Sequence, residues 1–172
     1  MKFTKIFSIL SVGILLLLAS CLGNDPTTDY AEWKAVNDRY IDSIETVTAG
    51  GKLVYEKVVP NWDNSVFVMM QWHNDRSENV NTLNPLSNST VTLNYTLTNV
   101  YGDTIDKGAS YTCQPNNMVT GFWTAVTNMN EGDTVTAVVP FNAGYGYYGS
   151  MSIPPFSTLV FGIRLITIDK LY

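Results

Sequence analysis

The sequence predicts an α+β domain behind a cleavable leader. One observation is the alternation between Val91 and Thr98. Val91, Leu93, Tyr95 and Leu97 interleave with Thr92, Asn94, Thr96 and Thr98, the period of a strand with one buried and one wet face. A second is that further apolar runs recur over Leu53 to Val59, Ser65 to Trp72, Val135 to Val139 and Thr158 to Ile168. A third is a change of period. Val119, Phe122, Trp123, Val126 and Met129 recur at three and four residues, which predicts a short amphipathic helix over Thr120 to Met129. One such helix among five or six antiparallel strands is an α+β arrangement.

The N-terminus reads as a leader. Lys2 and Lys5 precede the apolar run Ile6 to Leu18, and Leu18-Ala19-Ser20-Cys21 follows. Small residues before a cysteine are the lipoprotein form of a signal-peptide site. The expectation is a signal peptide over residues 1–20, cleavage before Cys21 and lipidation of Cys21. The run is shorter than the roughly 20 residues of a membrane span, which favours a leader over an anchor. Several acyl chains together hold a protein durably to a membrane. The expected location is the cell envelope. Leu22, with no aspartate beside Cys21, makes the outer membrane the simpler destination.

Residues 21–28 form a polar tether containing Gly23, Asn24, Asp25 and Pro26. Tyr30, Trp33, Val36, Tyr40, Ile41, Ile44 and Val47 then recur at helical spacing. They predict an N-terminal helix within residues 29–50, stopped by Gly50-Gly51 and packed on the domain at 51–172. Asn74 to Asn88 is polar and reads as a loop. Gly102-Asp103 breaks the strand before it, and Tyr111 to Cys113 is a candidate short strand.

Composition excludes several functions. The 172 residues carry a formal charge of −5, and loss of the leader removes two lysines and no acid, taking it to −7. Such a chain has no basic stripe to neutralise phosphates, so nucleic acid is not an expected partner. With Cys21 lipidated, Cys113 has no disulfide partner. His73 is the single histidine, so a Ser-His-Asp triad or a histidine-based metal site lacks its residues. No metal and no cofactor are expected. Gly144-Tyr-Gly146-Tyr-Tyr-Gly149 matches a dinucleotide motif letter for letter, but that site needs a helix after the glycines. Here Pro154-Pro155 and a strand follow.

What remains is apolar surface, concentrated between Pro140 and Phe161, and an apolar site can still catalyse. Rotation about an X–Pro amide faces a barrier of ~18–20 kcal/mol because resonance keeps the C–N bond planar, and it takes tens of seconds or more unaided. The twisted transition state has lost resonance and is less polar at the amide. A dry pocket that binds it better than the planar amide accelerates the rotation without acid, base or metal.

The residues carry a resemblance at this point. Val91-x-x-x-Tyr95, Gly102-Asp-Thr-Ile105-Asp106, Met118-Val119-x-Gly121-Phe122, Met129-x-x-Gly132-Asp133, Tyr145-Gly146 and Ile153-Pro154-Pro155-x-Ser-Thr158-Leu159-Val160-Phe161 stand in order. Together the stretch from about 85 to 168 resembles the FKBP-type peptidyl-prolyl isomerase domain. The whole chain is similar to small FKBP-like lipoproteins of Bacteroidetes. The resemblance implies a strongly curved antiparallel sheet wrapped around the short helix, with a proline ring held between them. It implies Tyr95, Asp106, Phe122, Tyr145 and Phe161 as catalytic residues and Ile105, Tyr111, Met118, Val119 and Ile153 as substrate-binding ones. Phe122 takes the floor, the Val119 amide the rim, and the Tyr145 hydroxyl reaches the substrate carbonyl. The chain departs from the family at three points. The family's floor tryptophan is displaced to Trp123, Ile105 replaces an aromatic, and the loop between Tyr145 and Pro154 is one residue short and lacks a histidine. The implied activity is a peptidyl-prolyl isomerase assisting the folding of exported proteins, with proline-containing polypeptides as partners. The alternatives are an FKBP-like module that binds such peptides with little or no turnover, and a structural or glycan-associated lipoprotein that kept only the fold.

Overall fold

The computed structural model describes residues 29–78 and 83–170. The signal peptide at 1–20, the lipidation site Cys21 and the tether at 21–28 lie outside the described residues. The second of the chain's two units, Glu32–Tyr172, holds the sheet and every site described below.

The order is α1 (Ala31–Glu45), β1 (Thr48–Ala49), β2 (Lys52–Leu53), β3 (Glu56–Val58), β4 (Val68–Trp72), β5 (Thr90–Thr98), β6 (Thr104–Cys113), α2 (Thr120–Val126), β7 (Thr134–Val139) and β8 (Leu159–Lys170). Strands β1 and β2 form a separate hairpin, and the main sheet runs β3-β4-β7-β8-β5-β6, antiparallel at each pairing. Register shifts between Leu93 and Tyr95 and between Leu97 and Thr98 mark irregularities where β5 meets β6, which add twist and bend to that edge.

The alternation in β5 and β8 gives the core its floor. Val91, Leu93, Leu97, Leu159, Phe161, Ile163 and Leu165 are all buried. Helix α2 lies on that face and contributes Phe122, Ala125 and Val126. It fits closely because Gly121 has no side chain: a Cβ there would lie 2.2 Å from Cγ1 of Val139. The sheet has a second covered face. Met69 of β4 and Val138 of β7 point away from α2 and pack with Ile41 and Ile44 of α1. A parallel or central strand buried on both sides reads as a continuous apolar run, and Val68, Met69 and Met70 are all buried.

Three expectations about elements change. Helix α1 ends at Glu45 rather than at the glycines. Gly50 and Gly51, with φ of 59° and 78°, instead make the turn of the β1–β2 hairpin, and Val47 is exposed. Strand β6 is far longer than the short strand expected at Tyr111 to Cys113. It lies at the sheet edge with both faces largely exposed, so it carries no period-two apolar signal. Helix α2 stops at Val126, and Asn128 and Met129 continue as a turn through bonds to Ala125 and Val126.

One polar residue ties α1 to the loop before β8. Asn37 is fully buried. Its Oδ1 accepts the Thr158 N–H at 2.7 Å, and its Nδ2 donates to the Trp33 carbonyl at 2.8 Å. Trp33 Nε1 donates to Ser157 Oγ at 3.0 Å nearby. Truncation leaves a buried amide without its acceptor, which costs about 1–3 kcal/mol. Asn37→Ala is therefore expected to lower the unfolding free energy by about that amount, read by urea denaturation followed through tryptophan fluorescence.

Candidate active site

The paired strands β5 and β6 set out the first wall. Tyr95 and Leu97 lie on β5, and Leu97 is in register with Asp106 on β6 and with Phe161 on β8. Tyr95 is opposite Gly108. A Cβ at Gly108 would come within 2.5 Å of Cε1 of Tyr95, so the missing side chain lets the ring lie across β6. There the Tyr95 hydroxyl donates to Oδ2 of Asp106 at 2.6 Å. Burial first, and then this bond, hold the Tyr95 phenol well above its ordinary range. A phenol in contact with a carboxylate keeps its proton, and the carboxylate is held in one orientation.

An aromatic chain continues beneath. Tyr95 meets Tyr111 edge-on at 5.4 Å between ring centroids and Phe122 at 6.3 Å. Phe122 meets Phe161 edge-on at 5.2 Å. Edge-to-face contacts of this kind set the rings' mutual orientation as well as burying area. Phe122 is completely buried, so the expected floor residue is a core residue that supports the site from below. Met118, Val119, Tyr95 and Ile105 pack against the same cluster from its margin. Val119 is the N-cap of α2, where a backbone N–H has no acceptor within the helix.

The loop after β7 supplies the other wall. It opens with a 3₁₀ turn over Phe141–Ala143. Gly146 N–H donates to the Phe141 carbonyl at 2.8 Å, and Phe156 N–H to the Gly146 carbonyl at 3.0 Å. Ser150 and Ile153 exchange backbone bonds of 2.9 and 2.7 Å. Phe141, Tyr147 and Phe156 pack edge-on, each pair at 5.4 Å. The glycines of the nucleotide-like motif thus turn a loop that leads into β8, and no helix follows them.

Between the walls is a cavity of about 210 Å³. Leu97, Ile105, Asp106, Tyr145 and Ile153 line it, with Ser150, Met151 and Ser152 at the loop side. Tyr145 is exposed. The structure therefore brings the expected residues together in two layers. Ile105, Asp106, Tyr145 and Ile153 face the cavity, while Phe122 and Phe161 lie in the core and Tyr95 joins the layers. Tyr111 is exposed and reaches the site through Tyr95. Leu97, Met151 and Gly108 were not among the residues singled out from the sequence. Leu97 is inseparable there from its neighbours on the buried face, and Gly108 signals its role only once Tyr95 is placed.

Among the described residues no group of three His, Cys, Asp or Glu side chains is placed to hold a metal ion. Burial pushes the Cys113 thiol up to about 11, so it is a poor nucleophile near neutral pH. His73 is exposed and its Nε2 lies 2.8 Å from the Thr136 hydroxyl. What the cavity offers is apolar wall, one carboxylate edge and a phenol.

Residues 82–166 match the family model of the FKBP-type peptidyl-prolyl cis-trans isomerases. Over that segment, just under half of its length, the chain is similar to the FKBP-type domain. The macrophage infectivity potentiator of Trypanosoma cruzi is 34% identical over 70 residues, covering 40% of this chain and 36% of that protein. The FKBP-type peptidyl-prolyl cis-trans isomerase FkpA of Escherichia coli K12 is 30% identical over 88 residues, covering 49% of this chain and 33% of that protein. The chain thus spans about a third of the length of these curated relatives. The crystal structure of Escherichia coli FkpA superposes with a TM-score of 0.68 at 22% identity, over 96% of this chain and 73% of that one. A peptidyl-prolyl cis-trans isomerase of Pseudomonas syringae pv. tomato gives 0.64 at 19%, over 82% and 96%. These structural likenesses establish the FKBP-type fold.

The Tyr95–Asp106 pair has a measurable signature. Because the folded-state value of Tyr95 lies above its ordinary one, the stabilisation it reports is complete below about pH 10 and is lost as pH rises through the folded-state value. Asp106→Asn removes the charge but not the burial. The Tyr95 titration midpoint is expected to fall while staying above that of free tyrosine, read by tyrosinate absorbance with Tyr95→Phe as the blank.

Proposed function

We propose that this protein is a peptidyl-prolyl cis-trans isomerase of the bacterial cell envelope, acting on proline-containing segments of exported polypeptides. The observation that carries the reading is the cavity lined by Ile105, Asp106, Tyr145 and Ile153 above the Tyr95–Phe122–Phe161 aromatic chain, within the family-matching segment. The proline ring enters between Ile105, Ile153 and Tyr145. The apolar walls disfavour the planar, more polar amide relative to the twisted one, which is the differential binding that acceleration requires. The Tyr145 hydroxyl donates to a substrate carbonyl, and the Val119 N–H, free of a helical acceptor, takes a second. Asp106, held by the Tyr95 hydroxyl, fixes the polar edge. No proton moves and no covalent bond forms.

The envelope assignment rests on the leader pattern ending at Cys21. Lipidation of that cysteine would hold the domain at a membrane surface, with the outer membrane the simpler destination. Among the described residues no helix is long and apolar enough to cross a membrane.

A second reading has its own observation. Phe122 is sealed from solvent, and the open cavity is small and lined by aliphatic Ile105 rather than an aromatic ring. Both favour an FKBP-like module that binds proline peptides with little turnover. Exchange spectroscopy on a short Ala-Leu-Pro-Phe peptide separates the two. The isomerase reading expects cis/trans exchange to accelerate with protein concentration, and Tyr145→Phe to lower kcat/KM about tenfold, as loss of one transition-state hydrogen bond of ~1.4 kcal/mol does. An unchanged exchange rate in the presence of saturable peptide binding would select the second reading.

A further inference from the structure

A groove distinct from the proline cavity runs between α1 and the other side of the loop after β7. Its volume is about 480 Å³, and its wall includes Asp38, Ile41 and Asp42 of α1 with Phe67, Phe141 and Tyr147. It is apolar on the aromatic side, and every charged side chain lining it is a carboxylate.

The chain itself shows how such a wall holds an ammonium. Lys34 Nζ lies 2.5 Å from Asp38 Oδ2 and 5.3 Å from the Phe141 ring centroid. Lys57 Nζ, on β3, lies 2.8 Å from Oε1 of Glu45 at the end of α1 and 4.0 Å from the Phe67 ring centroid. Each of these two aromatic wall residues therefore has a cation over its ring, fixed by a carboxylate of α1. Asp38, Asp42 and Glu45 follow at intervals of four and three residues, so they share one helix face. The outer two are matched by lysines. Asp42, the middle one, has no cation paired with it among the described residues, and the most exposed ring in the wall is that of Tyr147. Carboxylate, aromatic ring and cation therefore stand together on both sides of Asp42, and Asp42 lines the same groove as the Tyr147 ring without a cation of its own.

We propose that this groove binds a lysine or arginine side chain presented by an extended polypeptide with apolar flanks. The cation sits at Asp42 over the aromatic side, and the flanking apolar residues lie on Ile41 and Phe67. Cation–π and exposed ion-pair contacts are individually modest, so the site selects by the combination. The net charge of −5 draws basic segments from longer range. The proposal does not depend on isomerisation. The loop lends Tyr145 to one site and Tyr147 to the other, so a client carrying both proline and a basic residue has two points of attachment.

The test is an amide-resolved NMR titration of the protein with the proline-free peptide acetyl-Gly-Leu-Arg-Leu-Gly-amide and its glutamate counterpart. The arginine peptide is expected to shift Ile41, Asp42, Phe141 and Tyr147 saturably, and the glutamate peptide to leave them unmoved. Asp42→Asn is expected to weaken binding about three- to tenfold with unchanged thermal unfolding. Raising salt from about 0.1 to about 1 M, which shortens the Debye length from about 10 to about 3 Å, is expected to weaken it also. Equal shifts with both peptides, shifts confined to the proline cavity, or an Asp42→Asn variant that binds as well as the parent would overturn the proposal. Proline-peptide exchange measured on the same samples keeps the two sites apart, because arginine-peptide binding without exchange catalysis refutes only the isomerase reading.

Discussion

The contact on which the rest of the structure depends is the close approach of α2 to β7 at Gly121. A methyl group there would collide with Val139 at 2.2 Å. A glycine inside a helix costs roughly 1 kcal/mol relative to alanine, and here the return is position. The helix sinks far enough for Phe122 to lose all contact with solvent and to meet Phe161 and Tyr95 edge-on. Tyr95 is thereby tilted across Gly108 toward Asp106. The cavity above is what remains between this aromatic chain and the loop carrying Tyr145 and Ile153. A helix displaced outward by even a methyl would loosen the rings that orient the carboxylate edge.

Trp123 has a separate place in that arrangement. Trp123, one residue beyond Phe122, does not line the cavity and stacks on Trp62 at 4.4 Å with planes 16° apart. Its ring fixes the chain before β4 rather than lining the site. The smaller Phe122 is then free to be fully enclosed. The site is consequently divided into a rigid aromatic base and a shallow aliphatic pocket, with Tyr95 as the residue common to both. Chemistry that needs only an apolar environment and a few hydrogen-bond donors suits this division, because nothing in it has to change protonation state.

Much of the fold was legible because burial is one-sided. Strands β5 and β8 each press one face on α2, and their residues alternate accordingly. The helix at α2 also followed from pattern, while the site segment from Val91 to Phe161 was recognised by resemblance. Strand β6 was not legible beyond its end, since an edge strand exposed on both faces has no apolar period, and Gly108 within it resembles a breaker. The extent of α1 was overestimated because Val47 continued the apolar spacing by chance, while the glycines taken as its stop turn a small hairpin. For the site, the resemblance to the FKBP-type domain implied which side chains gather, namely Tyr95, Ile105, Asp106, Phe122, Tyr145, Ile153 and Phe161. It did not announce their depth. Whether a ring belongs to wall or core depends on helix–sheet spacing, which is set by Gly121 and Val139 and has no local sequence signal. The groove along α1 was invisible for a similar reason: Asp38, Asp42 and Glu45 look like an ordinary solvated helix face until Phe67 and Phe141 are brought beside them.

The proposed function requires a proline ring to occupy the cavity between Ile105, Tyr145 and Ile153, above Phe122. Intermolecular nuclear Overhauser effects between a bound proline peptide and the protein test it most directly. Contacts are expected from the pyrrolidine ring protons to the Ile105 and Ile153 methyl groups and to the Tyr145 ring, with none to the sealed Phe122 ring. A peptide that binds saturably while its proline protons touch none of these three residues would contradict it.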